Sequence, residues 1–247
     1  MSKRIPVVEF FGPTIQGEGA MIGVQTTFIR FGLCDYECKM CDSMFAVDPR
    51  KVKANATWLT PEEIIAKIGN NKGCEWITFS GGNPCIHDLK YLVEILREQG
   101  IRIAVETQGT FKPSWLHQCD VVTVSPKPPS MGEKYEPGKF EEFIREFSNH
   151  VGLAIKVPIF GVEDFDMLED VNYRASLFML NDVVYVSLGN PMPPGKFDIE
   201  PTLKEFRSQM LDHFERITTA ILNDTRFQNV KILPQLHVLV WGNKQGV

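Results

Sequence analysis

Long apolar runs are missing from this 247-residue chain. No stretch approaches the roughly 18 apolar residues that a membrane-crossing helix needs. The opening Met1–Glu9 is broken by Pro6 and Glu9 before it could serve as a signal peptide. A cytoplasmic protein with no membrane partner is expected. Excess positive charge is missing too: 26 Lys and Arg against 31 Asp and Glu leave a net charge of −5. Nucleic-acid backbones are held by clustered cations, so no direct nucleic-acid partner is expected. The chain has no internal repeat, no low-complexity tract and no interdomain linker, so residues 1–247 are read as a single domain. A chain this long buries its core without disulfide staples. Six cysteines in a reducing compartment should remain thiols, which favours metal binding or catalysis.

What is present is alternation. Thr26–Phe31, Trp76–Phe79, Ile101–Glu106, Val121–Ser125, Leu153–Ile159 and Val183–Leu188 read as strands, several of them almost wholly apolar. Between them, Thr60-Pro61-Glu62-Glu63 is a capping box that starts a helix at Pro61. Asp88–Gln99 has apolar residues at helical spacing and a stop at Gly100. Phe140–Asn149 and Thr202–Leu222 are further helices by the same spacing. The pattern predicts an α/β fold with a mostly parallel sheet, either a partial barrel or an open doubly wound sheet. In both, the reactive loops follow the C-terminal ends of the strands. The loops Pro126–Gly138 and Asn190–Pro201 are long for plain connectors and are candidates for function.

Three of the six cysteines crowd into one such loop: Cys34, Cys38 and Cys41, spaced C-x3-C-x2-C. Three thiolates can hold three irons of a cubane, which normally takes four. With no fourth Cys nearby, one iron keeps an open position, as a catalytic metal requires. A structural zinc site would want a fourth ligand, and the nearest His, His87, is far along the chain. Cys74, Cys85 and Cys119 are scattered and read as small buried hydrophobes.

The C-x3-C-x2-C spacing resembles that of the radical S-adenosylmethionine (SAM) superfamily, and Ser80-Gly81-Gly82-Asn83-Pro84 resembles its Gly-Gly-Glu-Pro element. Met40 stands where an aromatic residue is common and Asn83 where Glu is common. Further marks narrow the likeness. They are Gly12–Gly19, Asp42-Ser43, Glu106–Thr110, Ser125–Pro129, Leu233–His237 and Trp241-Gly242-Asn243-Lys244. In this order and along nearly the whole chain, they resemble the 7-carboxy-7-deazaguanine synthases, a radical SAM family.

The resemblance implies an abbreviated TIM-like barrel of about six mostly parallel strands with fewer helices than strands. It implies a [4Fe-4S] cluster on Cys34, Cys38 and Cys41, and SAM bound through Met40, Cys41, Asp42, Gly82, Glu106, Ser125, Pro126 and Lys127. The adenosyl radical then formed would act on 6-carboxy-5,6,7,8-tetrahydropterin, contract its ring and release ammonia. Ile15, Gln16, Gly17, Glu18, Arg30, Ser80 and His237 would hold that pterin, and Ser43 would ligate a Mg2+ ion. A homodimer and a reductase- or flavodoxin-type electron donor are implied as well. Three readings compete: an activating enzyme of the same superfamily that acts on a protein partner, a metal-binding module without chemistry, and a radical enzyme acting directly on RNA, against which the acidic balance counts.

Overall fold

The structure, a computed structural model, describes residues 3–69, 74–193 and 202–247. In chain order its elements are β1 (Ile5–Ile15), β2 (Gln25–Phe31), α1 (Met44–Val47), α2 (Pro49–Asn55), β3 (Thr57–Leu59) and α3 (Pro61–Gly69). There follow β4 (Trp76–Gly81), α4 (Lys90–Glu98), β5 (Arg102–Thr107), β6 (Val121–Val124), α5 (Pro137–Phe147) and β7 (Leu153–Ile159). The chain ends with α6 (Phe165–Leu177), β8 (Val184–Leu188), α7 (Leu203–Leu222), β9 (Lys231–Leu233) and α8 (Leu236–Trp241).

The six expected strands form as β2 and β4–β8, side by side and parallel. Among the described residues the sheet has nine strands, in the order β3-β1-β2-β4-β5-β6-β7-β8-β9, and its ends do not pair. It is an open, partial barrel. The three added strands are short or irregular. β1 precedes β2 and runs antiparallel to it. Register shifts beside Val7/Glu9 and Phe11/Thr14 accommodate Gly12 and Pro13 within the ladder. The expected helices start and stop close to the sequence signals, and the Thr60–Glu63 and Thr202–Glu205 capping boxes are both made. The helix α6 was not expected. Of the loop Asn190–Pro201, residues 194–201 lie outside the described residues.

Strand alternation explains where chemistry goes. Ile29 and Phe31, Ile77 and Phe79, Ile103 and Val105, Val122 and Val124, Ile155 and Val157, and Val184 and Val186 point into one large apolar core. Helices α3–α6 cover that face with residues such as Leu92, Phe143 and Leu168. The alternate positions Arg30, Ser80, Glu106, Ser125, Lys156 and Ser187 face the opposite way, into a cavity. These strands are therefore not apolar on both faces; the inner face carries small and polar residues. No helix among the described residues is long and apolar enough to cross a membrane.

Candidate active site

The cysteine loop leaves β2 through Leu33, which takes a left-handed φ of 76°. It is held by its neighbours on three sides. Leu33 N donates to Ala46 O at 2.7 Å, Lys39 N to Met131 O at 2.7 Å, and Glu37 N to the Glu133 carboxylate at 2.7 Å. The turn after β4 seals it from behind. Gly82 N donates to Phe31 O and Asn83 N to Leu33 O, each at 2.9 Å. A Cβ on Gly82 would stand 1.8 Å from Leu33 O, so only glycine allows this approach. Asn83 itself points away from the cavity. Fully buried, it donates to Asp35 and Thr110 and accepts from Cys85 N and Thr107 Oγ1.

Cys34, Cys38 and Cys41 all line one wall of a cavity of about 260 Å³. Burial pushes the Cys38 and Cys41 thiols up to about 12, and Asp42 adds to the effect at Cys41. Bare thiols there stay protonated at neutral pH until a metal displaces the proton. A cubane spreads its three cysteine ligands over separate irons. The three soft sulfurs, backed by half-buried Lys127, fit an anionic iron–sulfur cluster. Lys127 Nζ donates to Ser125 Oγ at 2.9 Å, and burial, with Lys156 nearby, holds its pKa below the usual lysine range.

Across the cavity lies a polar cradle centred on Glu18. Lys156, the one charged residue of β7, donates to Glu18 and, at 3.1 Å, to Glu106. Gln235 Nε2 also donates to Glu18, and Ser187 Oγ does so at 3.3 Å. Burial alone would raise the Glu18 carboxyl. Lys156, His237 and these hydrogen bonds overcome it and hold Glu18 well below the usual carboxylate range. Lys156 would be lowered by burial, yet Glu106 and Glu18 hold it above its usual value. Gln16 Oε1 caps the turn by accepting from Gly17 N at 2.7 Å. Gly17 O accepts from Leu236 N at 2.9 Å, which docks the C-terminal helix on this turn. Ser80 Oγ and Gln235 Oε1 are buried without a hydrogen-bond partner, and both residues line the cavity. Orphaned polar atoms of this kind need a ligand or water.

Arg30 connects the two walls. Its Nε donates to Glu9 Oε2 at 2.7 Å and its Nη1 to Ser43 Oγ at 2.8 Å. The guanidinium lies over the rings of Phe11 and Phe45, 5.7 and 5.6 Å from their centroids. Ser43 Oγ in turn donates to Asp42 Oδ1 at 2.8 Å. A guanidinium held at these points presents its remaining N–H groups to the cavity as a fork for a carboxylate.

Of the residues expected to bind the cluster, SAM, the pterin or Mg2+, all line this cavity except Pro126, which borders a small adjoining one. Sequence reasoning missed Glu9, Lys156, Ser187 and Gln235. A lone lysine inside the apolar run Leu153–Ile159 was a usable signal, because unpaired charge is rarely tolerated in a buried strand.

Residues 28–120 match the family model described as the Radical SAM superfamily. Over 100% of both chains the sequence is 37% identical to the 7-carboxy-7-deazaguanine synthase of Bacillus subtilis. It is 38% identical to the Bacillus cereus protein of the same name over 99% of each chain. The crystal structure of QueE from Escherichia coli superposes with a TM-score of 0.63 at 25% identity, covering 95% of both chains. Streptococcus suis SuiB bound to S-adenosylmethionine gives a TM-score of 0.50 at 17% identity, over 84% of this chain and 47% of that one; this likeness concerns the fold alone.

Proposed function

Since this chain belongs to the 7-carboxy-7-deazaguanine synthase family of radical SAM enzymes, we propose that it converts 6-carboxy-5,6,7,8-tetrahydropterin to 7-carboxy-7-deazaguanine and ammonia. The atoms balance without an added oxidant: the substrate equals the product plus one NH3.

The observation that carries this reading is the two-walled cavity. Three cysteines stand on one wall and a Glu18-centred set of acceptors on the other. When bound, the cluster and SAM supply a carbon-centred radical that takes one hydrogen from the substrate. Everything else falls to the chain's own side chains. Cys34, Cys38 and Cys41 would hold the cluster, and with three thiolates and no fourth they would leave it a position open to SAM. Met40, Asp42, Gly82, Glu106, Ser125 and Lys127 border the space for SAM, and the Lys127 ammonium suits its carboxylate. Glu18, kept ionised, accepts from the N–H and NH2 edge of the pterin, with Gln16 and the free Gln235 Oε1 beside it. Arg30 takes the substrate carboxylate, and Ser80 Oγ and His237 complete the ring of contacts. The Ser43 hydroxyl and one Asp42 carboxylate do not make a Mg2+ cage by themselves, and Arg30 stands 2.8 Å from that hydroxyl. Any Mg2+ here would be shared with the substrate carboxylate. The electron comes from an external donor of the reductase or flavodoxin type.

The test is anaerobic incubation of the reconstituted protein with reductant, SAM and the carboxylated tetrahydropterin, with product read by mass. Appearance of the deazaguanine acid with one equivalent of ammonia is expected. SAM cleavage without any pterin conversion would overturn the substrate assignment.

A further inference from the structure

Gln108 follows β5 and is 8% exposed. Its Nε2 lies 3.4 Å from Cys34 Sγ and 2.5 Å from Asp35 Oδ1. An amide nitrogen carries two N–H groups, so it can serve both acceptors at once. Asp35 decides which way the amide faces. An ionised carboxylate only accepts, so it selects the NH2 end of Gln108 and turns that end toward the sulfur. Asp35 is itself anchored, because it accepts from Asn83 Nδ2 at 2.9 Å, and Asn83 is locked by four hydrogen bonds in the core. Tyr36 N adds a longer contact to the same sulfur, at 3.5 Å. Among the described residues, Gln108 is the side chain that hydrogen-bonds a sulfur of the trio.

Such a donor acts on a cluster in a defined direction. Reduction adds one negative charge, part of which spreads onto the ligand sulfurs. An N–H dipole aimed at a sulfur stabilises that charge, so it moves the reduction potential up. The surroundings of this loop push the other way: Asp35, Glu37, Asp42 and Glu133 bring negative charge to the cysteines. Deepening the reading above, and resting on its cluster assignment, we infer that Gln108 is a positioning residue whose amide, oriented by Asp35, raises the reduction potential of the cluster bound at Cys34.

The parent protein, Gln108→Met and Gln108→Asn are reconstituted anaerobically and their iron and sulfide counted. The midpoint potential of each cluster is then read by EPR-monitored redox titration, without SAM or pterin. Met keeps the length of the side chain but has no N–H; Asn keeps the amide but is one methylene too short to serve both partners. Full iron content with a more negative midpoint in both variants is expected, with the larger shift in Gln108→Met. Midpoints equal to the parent's in both variants overturn the inference. So does loss of the cluster from both, which would make Gln108 a prop for the loop. A parent protein that holds no cluster sinks the cluster assignment itself, and the inference with it.

Discussion

Lys156 on β7 donates a hydrogen bond to Glu18, a residue 138 positions earlier in the chain. The same ammonium lies 3.1 Å from Glu106 at the end of β5. One buried cation therefore balances two carboxylates that would otherwise repel. Burial is the largest influence on Glu18 and acts to raise it, so Lys156 is what keeps this acceptor charged.

Lys156→Met should therefore change the pH dependence of turnover. In the parent, Glu18 is depressed below its ordinary 4.5, so it stays ionised at neutral and mildly acidic pH and adds no acid limb. Without the lysine, burial pushes its carboxyl up from the parental value, and the acceptor is lost as pH falls through the raised value. kcat/KM for the pterin should acquire an acidic limb that lies at higher pH than any the parent shows. Stability follows the same sign: the parent's Glu18 contribution is present above 4.5 and is lost as pH drops below it. Removing one partner of a buried pair typically costs about 3–5 kcal/mol. A variant with parental melting temperature and parental pH profile would rule this role out.

Glu9 should matter through Arg30. It grips Nε at 2.7 Å and so sets the angle of the fork. A hydrogen bond to a charged group is worth roughly 1.5–3 kcal/mol. Glu9→Gln should raise the pterin KM about tenfold, about 1.4 kcal/mol, and Arg30→Lys more, since lysine cannot offer two parallel donors. Iron content and SAM affinity should stay at parental values in both. An unchanged KM in Glu9→Gln would show that a charged partner at Nε is not needed to aim the guanidinium.

Much of this geometry was legible in the sequence, for reasons that can be named. The six central strands could be read because their core-facing residues are Ile, Val, Phe and Leu in short bounded runs. The cysteine spacing and the Gly-Gly turn are local, and both fall where strands end. β1 was hidden because Gly12 and Pro13 mark turns, and the sheet tolerates them only through its register shifts. α6 has apolar residues at Phe165, Leu168, Val171 and Ala175, but no side chain caps its start. Asn83 stands where the motif more often has Glu, and its partners are set by how two loops pack, which no local pattern encodes. Glu9 and Gln235 owe their roles to residues far along the chain.

The six cysteines should divide sharply. Cys38→Ala should abolish the brown chromophore and all turnover, because the loop has no spare thiolate to take its place. Cys85→Ala and Cys119→Ala should keep both: Cys85 and Cys119 are 4% and 3% exposed and belong to the apolar core. Their cost should appear as stability, since large-to-small core changes leave a cavity. Iron counting and thermal melting separate the outcomes, and a Cys85→Ala protein devoid of iron would contradict the ligand set.

Gly17 offers a sharper test of the pterin side than any charged residue does. A Cβ there would stand 2.0 Å from His237 Nδ1 and 2.8 Å from His237 N. Rotating the imidazole could relieve the first contact but not the second, because a backbone nitrogen has no rotamer. In Gly17→Ala the turn must therefore back away from α8, stretching the 2.9 Å bond from Leu236 N to Gly17 O. Glu18 moves with the turn while Gln235 stays with the helix, so the acceptor set loses its registry. The cysteine loop sits on other elements and should not respond. The expected result is a pterin KM raised at least about tenfold, about 1.4 kcal/mol, with iron content and SAM cleavage unchanged. Adding His237→Ala should not restore KM, since the backbone clash remains. Full restoration by that second change would mean that the turn and the helix are held apart only by the ring, and the docking described for Gly17 would be wrong.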